Sequence, residues 1–363
     1  MVKIGLVARA DRTGLATLTW EFARHLHPHR VVVVEPQWSG SGQRVDPSMY
    51  DDHLVMGSRP YPGVGMIEDP VIDEFLDDLD VVFTAETPYN HWLFERARQR
   101  GVKTVLQPMF EFLDWPLPPG VAGPDLYAVP SRWRWDDYPF ENKVLLPVPV
   151  NRDALPYRRR ESLHTLLHTV GTGAGHDRNG TALVVEAMRL LPRRVDVRLT
   201  IRSHHKVPRA RRRRIKTIAR IADRYTDVYH DEDVYLMPRK YGGLCLPLNE
   251  ASACGMPVLM TDISPQSALL PAGALLPAHR VASFATHTDA LLPAQQAGSI
   301  DAHAEIEVFE TTPRAIADRI TELHADPELV AALSDAADAY ADSISWARMT
   351  PEYTRVFEEL VAS

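Results

Sequence analysis

Cysteine is nearly absent: the 363 residues hold two, Cys245 and Cys254, nine positions apart. That number excludes a disulfide framework, and no spaced Cys/His set points to structural zinc. Long apolar runs are also missing. None approaches the ~20 residues that span a bilayer, so no integral membrane segment is expected. Met1–Ala8 lacks a basic lead and a small-residue cleavage site and reads as a strand rather than a signal peptide. Lysine is scarce, six against 34 arginines. A reaction that depends on a Schiff-base lysine has few residues to use. What is present, 45% hydrophobic and 24% charged residues, fits an ordinary folded soluble protein, and the missing export signal and membrane span lead us to expect a cytoplasmic enzyme.

The net charge of −8 hides an uneven distribution. Residues 1–150 carry 14 Lys/Arg against 21 Asp/Glu, residues 151–240 carry 21 against 10, and residues 241–363 carry 5 against 17. This excludes a uniformly basic nucleic-acid coat and marks the middle as a place where an anion is handled.

Strand-length apolar runs alternate with helical patterns. Lys3–Ala8 precedes a helix that ends near Leu26, and Arg30–Glu35 is the next strand. Val81–Thr84 precedes a helix from Tyr89 to Arg100, and Val102–Gln107 and Leu126–Val129 follow as strands. A proline- and arginine-rich linker spans Leu146–Arg160. The alternation then restarts with Leu166–Val170, a helix over Thr181–Leu191, and Val197–Ile201. A basic helix over Pro208–Tyr225, strands at Thr226–Tyr229, Val234–Met237 and Pro257–Thr261, and a helical last fifty residues complete the reading. Strand–helix alternation implies parallel sheets covered by helices on both faces. The expected domains are residues 1–150, residues 151–340, and a carboxyl-terminal helix over 341–363 that packs back on the first. Open parallel sheets bind ligands at the carboxyl ends of their strands, so two such domains facing each other enclose a cleft.

The most informative segment is Pro238–Val258. Gly242 and Gly243 let the backbone approach a ligand closely. A helix begins near Leu246–Pro247, and a helix amino terminus beside a glycine pair is a diphosphate site in physical terms. Glu250, about one turn in, can accept two hydrogen bonds from a vicinal diol such as a ribose. A tight turn with a buried cap glutamate is the plainer alternative.

This segment resembles the retaining GT-B glycosyltransferases of the glycogen synthase and mannosyltransferase type. Their signature runs Glu-Gly-Phe-Gly-Leu-Pro-x-x-Glu-Ala and then Cys-Gly-x-Pro-Val. Leu246-Pro247, Glu250-Ala251 and Cys254-Gly255-Met256-Pro257-Val258 match it in order. The resemblance implies two doubly wound, Rossmann-like domains facing across a cleft, a nucleotide-sugar donor with UDP favoured and GDP possible, and a ribose contact at Glu250. Leu244 and Cys245 replace the Phe and Gly. Gly242 replaces the first glutamate, which in the family contacts donor-sugar hydroxyls. The overall pattern also resembles glycosyltransferases of actinobacterial phages.

Between a strand and a helix, Val170–His176 holds three glycines, Gly171, Gly173 and Gly175, a loop able to cradle phosphate. Their spacing does not follow the dinucleotide fingerprint. Arg178 adds a cation able to bind phosphate bidentately, and it lies where the family places basic residues that neutralise the leaving diphosphate. Arg239 and Lys240 can meet the same phosphates. In the first domain, Gly14 is a donor candidate. Arg12, Glu86, Tyr89 and Glu111 are acceptor candidates because they follow strand ends. Ser131–Trp135 mixes aromatic and cationic groups and reads as packing before sugar stacking.

Catalytic duty is expected of Arg178, Lys240 and Glu111, with no cofactor and no metal ion. The leaving phosphate itself takes the acceptor proton. The acceptor is a protein, a glycoside, a lipid or a modified base in DNA. The run 209–220 reads as a basic amphipathic helix, either solvated or in contact with DNA or a membrane surface. A catalytically inactive nucleotide-sugar-binding module is the rival reading, and Gly242 is its motive.

Overall fold

A computed structural model describes residues 2–11, 13–34, 47–50, 55–57, 67–90, 92–112, 122–138, 140–170, 177–203, 214–219, 222, 224–229, 231–285 and 305–363. The chain forms two compact units. The first is built from Met1–Val148 and Met349–Ser363, the second from Pro149–Phe284 and Ile306–Arg348.

The first unit carries a seven-stranded parallel sheet made of β1 (Ile4–Arg9), β2 (Arg30–Val34), β3 (Val55–Gly57), β4 (Val81–Glu86), β5 (Lys103–Pro108), β6 (Leu126–Val129) and β7 (Lys143–Leu145), in the order β3-β2-β1-β4-β5-β6-β7. Val31 to Val34 are all buried, as expected of a parallel strand covered on both faces. The helices are α1 (Gly14–Leu26), α2 (Asp69–Phe75) and α3 (Trp92–Gln99). Thr13 caps α1, its hydroxyl accepting from the Ala16 amide at 3.3 Å. Such a cap contributes about 1 kcal/mol. The unit's aromatic core joins Phe22, Phe83, Tyr353 and Phe357, with Phe22 and Phe83 centroids 4.7 Å apart and Phe22 and Tyr353 5.1 Å apart. Gln107 donates to the Tyr353 hydroxyl at 3.0 Å.

The second unit repeats the same strand order. Its sheet consists of β8 (Thr165–Thr169), β9 (Arg198–Arg202), β10 (Ile215–Ile218), β11 (Val234–Met237), β12 (Val258–Thr261) and β13 (Leu275–Leu276), ordered β10-β9-β8-β11-β12-β13. Its helices are α4 (Thr181–Leu190), α5 (Leu246–Ala253), α6 (Gln266–Leu269), α7 (Pro313–Ala325) and α8 (Pro327–Ser343). A separate two-stranded ribbon pairs β14 (His279–Ala285) with β15 (Glu305–Glu310). The last helix, α9 (Trp346–Ala362), begins in the second unit and continues into the first.

Three expectations are corrected here. Within the expected basic helix, Ile215–Ile218 is instead an edge strand parallel to β9. β-branched Ile215, Thr217 and Ile218 favour a pleated strand, and the i, i+3 spacing of the two isoleucines imitates a helical face. A DNA- or membrane-binding amphipathic helix over 209–220 therefore loses its basis, and residues 204–213 lie outside the described residues. Tyr225–Val228 is a 3₁₀ turn rather than a strand. The helix expected from Tyr89 starts at Trp92, because Tyr89 itself adopts φ +59°.

Candidate active site

In both sheets the strand order reverses direction at the first strand, between β1 and β4 and between β8 and β11. Ligands bind outside the carboxyl ends of strands at such switch points. The described residues there are Val170 and 177–180 after β8, and 238–245 after β11.

Those two loops meet. Gly180 has φ +70°, and a Cβ on it would lie 2.7 Å from the Pro238 carbonyl oxygen, so only glycine permits this approach. The Lys240 amide donates to the Arg178 carbonyl at 2.9 Å. Asp177 fastens the start of α4 by accepting from the amides of Thr181 (2.6 Å) and Ala182 (3.0 Å). Behind this junction His168 is fully buried. Its Nδ1 lies 2.8 Å from the Leu236 carbonyl, an acceptor only, so Nδ1 carries the proton and Nε2 accepts from the Thr181 hydroxyl at 2.9 Å.

Two guanidinium groups converge at the junction. Arg178 and Arg239 both donate through Nε to one acceptor, the Tyr241 carbonyl, at 3.2 and 2.8 Å. Arg178 also lies over the Tyr241 ring, 4.8 Å from its centroid. Between them runs Gly242, with φ +111°. A Cβ there would sit 2.5 Å from Arg239 Nη2 and 2.9 Å from Arg178 Cζ, and closer still to Arg178 Nη2. Lys240 points elsewhere: its Nζ pairs with Glu310 Oε1 at 2.6 Å. The ribbon strand β15 also donates from the Phe309 amide to the Lys240 carbonyl at 3.0 Å, and Phe284 of β14 packs edge-on to Tyr241 at 5.0 Å.

The helix α5 follows at once. Cys245 precedes it as the buried N-cap residue, Leu246 and Pro247 open it, and the Glu250 carboxylate is buried one turn in. The Tyr229 hydroxyl donates to Glu250 Oε2 at 2.5 Å, and the Tyr340 hydroxyl donates to Asn249 Oδ1 at 2.9 Å. At the other end of the helix the Arg160 guanidinium, itself buried, donates to the Cys254 carbonyl at 2.6 Å. A cation there complements the helix dipole. Burial pushes Arg160 down to about 10. Thus Arg178 and Arg239 are brought together around Gly242, just before Gly243–Leu246 and the helix that carries Glu250, whereas the Lys240 side chain is turned to Glu310 and Gly173 lies outside the described residues.

In the first unit, Gly14 is the first residue of α1 and Arg12 lies outside the described residues. Glu86 closes β4 with φ +68°, and Tyr89 is buried at φ +59°. Two non-glycine residues held in this region within four positions mark an over-determined segment. Arg9, which ends β1, bonds Asp11 and donates to the Tyr89 hydroxyl at 3.3 Å. The spacing rules had not singled out Arg9, since its pairing with Tyr89 bridges 80 positions. Glu111 is buried in the 3₁₀ turn after β5, and its charge adds to burial in raising Tyr138. Trp133 packs edge-on to Phe110 at 5.7 Å, a packing role for the Ser131–Trp135 stretch.

Among the described residues no group of three or more His, Cys, Asp or Glu side chains is placed to hold a metal ion. The Asp-x-Asp triplets at 78–80 and 231–233 have structural work: Asp80 accepts from the Lys3 amide at 2.7 Å and Asp233 from the His164 and Thr165 amides at 2.9 Å. No described helix is long and apolar enough to cross a membrane.

His168 supports a prediction. Burial holds its pKa below the ordinary histidine value of ~6.5. The unfolded chain therefore takes up the proton first, and the stability this histidine contributes is complete above about pH 6.5 and lost as pH falls below it. Melting temperature measured from pH 7.5 to 5 is expected to fall less steeply in His168→Gln than in wild type. Parallel curves would assign the acid limb to another group.

Residues 165–293 match the family model described as glycosyl transferases group 1. No curated protein matches the chain by sequence. Among solved structures, sucrose-phosphate synthase from Thermosynechococcus elongatus is similar with TM-score 0.66 and 13% identity, over 100% of both chains. Anabaena HepE in complex with UDP is similar with TM-score 0.66 and 10% identity, over 99% of this chain and 100% of that one. The lipopolysaccharide outer core galactosyltransferase WaaB is similar with TM-score 0.59 and 10% identity, over 98% and 99%. These likenesses and the two doubly wound sheets give the chain the GT-B fold. The match to the group 1 glycosyl transferases model is confined to residues 165–293.

Proposed function

We propose that the protein transfers a sugar from a uridine diphosphate sugar to an acceptor hydroxyl with retention of configuration. The observation that carries this reading is the convergence of Arg178 and Arg239 on the Tyr241 carbonyl, at the switch point of the second sheet and just before the amino terminus of α5. Two like charges brought together beside a helix amino terminus favour a doubly anionic group. HepE holds UDP and, in another structure, UDP-glucose on the same fold.

The diphosphate then lies against Arg178 and Arg239, and the ribose meets Glu250. Charge that develops on the leaving diphosphate is stabilised by guanidinium groups already in place. The acceptor hydroxyl attacks from the face the diphosphate leaves, and the departing phosphate oxygen takes its proton. Lys240, held by Glu310, steadies the loop between the two arginines. Glu86, Tyr89 and Glu111, with Arg9 and Asp11 behind Tyr89, are the acceptor side. The acceptor is a hydroxyl on a glycoside, a lipid, a protein or a modified base.

Thermal shift with UDP-, GDP-, ADP- and TDP-sugars tests the donor assignment. UDP-sugars are expected to raise the melting temperature of wild type, and ligand at a hundredfold excess over Kd stabilises by about 2.7 kcal/mol. Glu250→Ala is expected to lose most of that gain. Indifference of wild type to every nucleotide sugar would sink the reading. Equal stabilisation of Glu250→Ala would remove the ribose contact from Glu250. Release of UDP during turnover with an acceptor separates a transferase from a module that only binds.

A further inference from the structure

We propose that Tyr229 is a positioning residue for donor binding, its hydroxyl fixing the Glu250 carboxylate in the orientation that meets the nucleotide ribose. This rests on the ribose assignment of Glu250 made above. The two residues are 21 positions apart and both are buried, and the Tyr229 hydroxyl donates to Glu250 Oε2 at 2.5 Å. A glutamate side chain has three rotatable bonds, and freezing them during binding lowers affinity. A partner that freezes them beforehand leaves the ribose with less ordering to impose.

Tyr229 is itself immobilised. Its ring packs edge-on to Tyr235, with centroids 5.9 Å apart, and the Tyr235 hydroxyl is hydrogen-bonded to Thr169 Oγ1 at 2.5 Å. The bond thus links the end of β8 to the second turn of α5 through two aromatic rings. Burial, then the Glu250 charge, raise Tyr229 well above the ordinary tyrosine value. The hydroxyl therefore remains a donor across the working pH range. On the neighbouring position of the same turn, Tyr340 of α8 holds Asn249. Two tyrosines from different parts of the chain thus grip consecutive residues of α5.

The test is a binding series by calorimetry with two probes, UDP and inorganic pyrophosphate. Pyrophosphate reports on Arg178 and Arg239 alone, and UDP adds the ribose. Tyr229→Phe keeps the ring and removes only the hydroxyl. It is expected to weaken UDP roughly tenfold, the scale of one hydrogen bond to a charged group, and to leave pyrophosphate binding unchanged. In a Glu250→Ala background the same substitution is expected to cost nothing further. Unchanged UDP affinity in Tyr229→Phe would overturn the proposal. So would a parallel loss of pyrophosphate binding, which marks a collapsed site, or effects that add in the double variant. If Glu250→Ala binds UDP as wild type does, the ribose assignment fails first and takes the proposal with it. If only Tyr229→Phe is neutral, the assignment stands and the proposal alone falls.

Discussion

Arg178→Ala is expected to lower turnover by about two to three orders of magnitude, the usual effect of deleting one preorganised group that meets developing charge. The expectation follows from how firmly this side chain is held before any ligand arrives. Asp177 locks the start of α4, the Arg178 carbonyl accepts from Lys240, its Nε donates to Tyr241, and its plane lies over the Tyr241 ring. A guanidinium placed in advance needs no reorganisation as the diphosphate departs. Arg178→Lys is expected to recover little, because an ammonium can neither stack on the ring as a plane nor fork two phosphate oxygens. Steady-state kinetics with a UDP-sugar decide the matter. A fall in kcat at similar KM places the interaction in the transition state, whereas a rise in KM alone would make Arg178 a ground-state anchor and refute its catalytic role.

The second large effect is expected at Gly242. Placing there the glutamate of the signature that the segment resembles looks like a repair, yet Gly242→Glu and even Gly242→Ala are expected to cut activity by about a hundredfold. Two costs combine. The backbone at φ +111° strains any residue with a Cβ, by about 1–3 kcal/mol. The Cβ also runs into the tips of both guanidinium groups, which must shift from their present placement to make room. Displacing a reacting group by about 1 Å is enough for losses of that size. Activity assays with melting curves in parallel separate the two costs. Full activity in Gly242→Ala would show that the arginine pair can move without consequence and would withdraw its role.

Much of the architecture was legible because buried parallel strands read as unbroken apolar runs. Val31–Val34 and Val234–Met237 are of this kind, and both are strands. The three-residue β3 and the two-residue β13 carry too few positions for any periodicity, and Ile215–Ile218 satisfied a helical spacing while pairing as an edge strand. The proposed donor loop was visible since its signature is contiguous. The partners that shape it were not. Tyr229 meets Glu250, Glu310 meets Lys240, and Arg9 meets Tyr89 only through tertiary contact, at separations of 21, 70 and 80 positions. His168 reads as one more residue of an apolar strand until its two ring nitrogens are seen to join β11 to α4. The physical reason for Gly242 likewise depends on where two arginine side chains end, which no spacing rule conveys.

The aromatic core of the first unit has a bearing on how the chain is made. Phe22 and Phe83 are translated early, but Tyr353 and Phe357, which close the cluster, belong to the last helix. The Gln107–Tyr353 hydrogen bond spans 246 positions. Domains usually fold in order of synthesis, the amino-terminal one first. Here the aromatic core of the amino-terminal sheet is completed by residues that leave the ribosome only after the whole second unit.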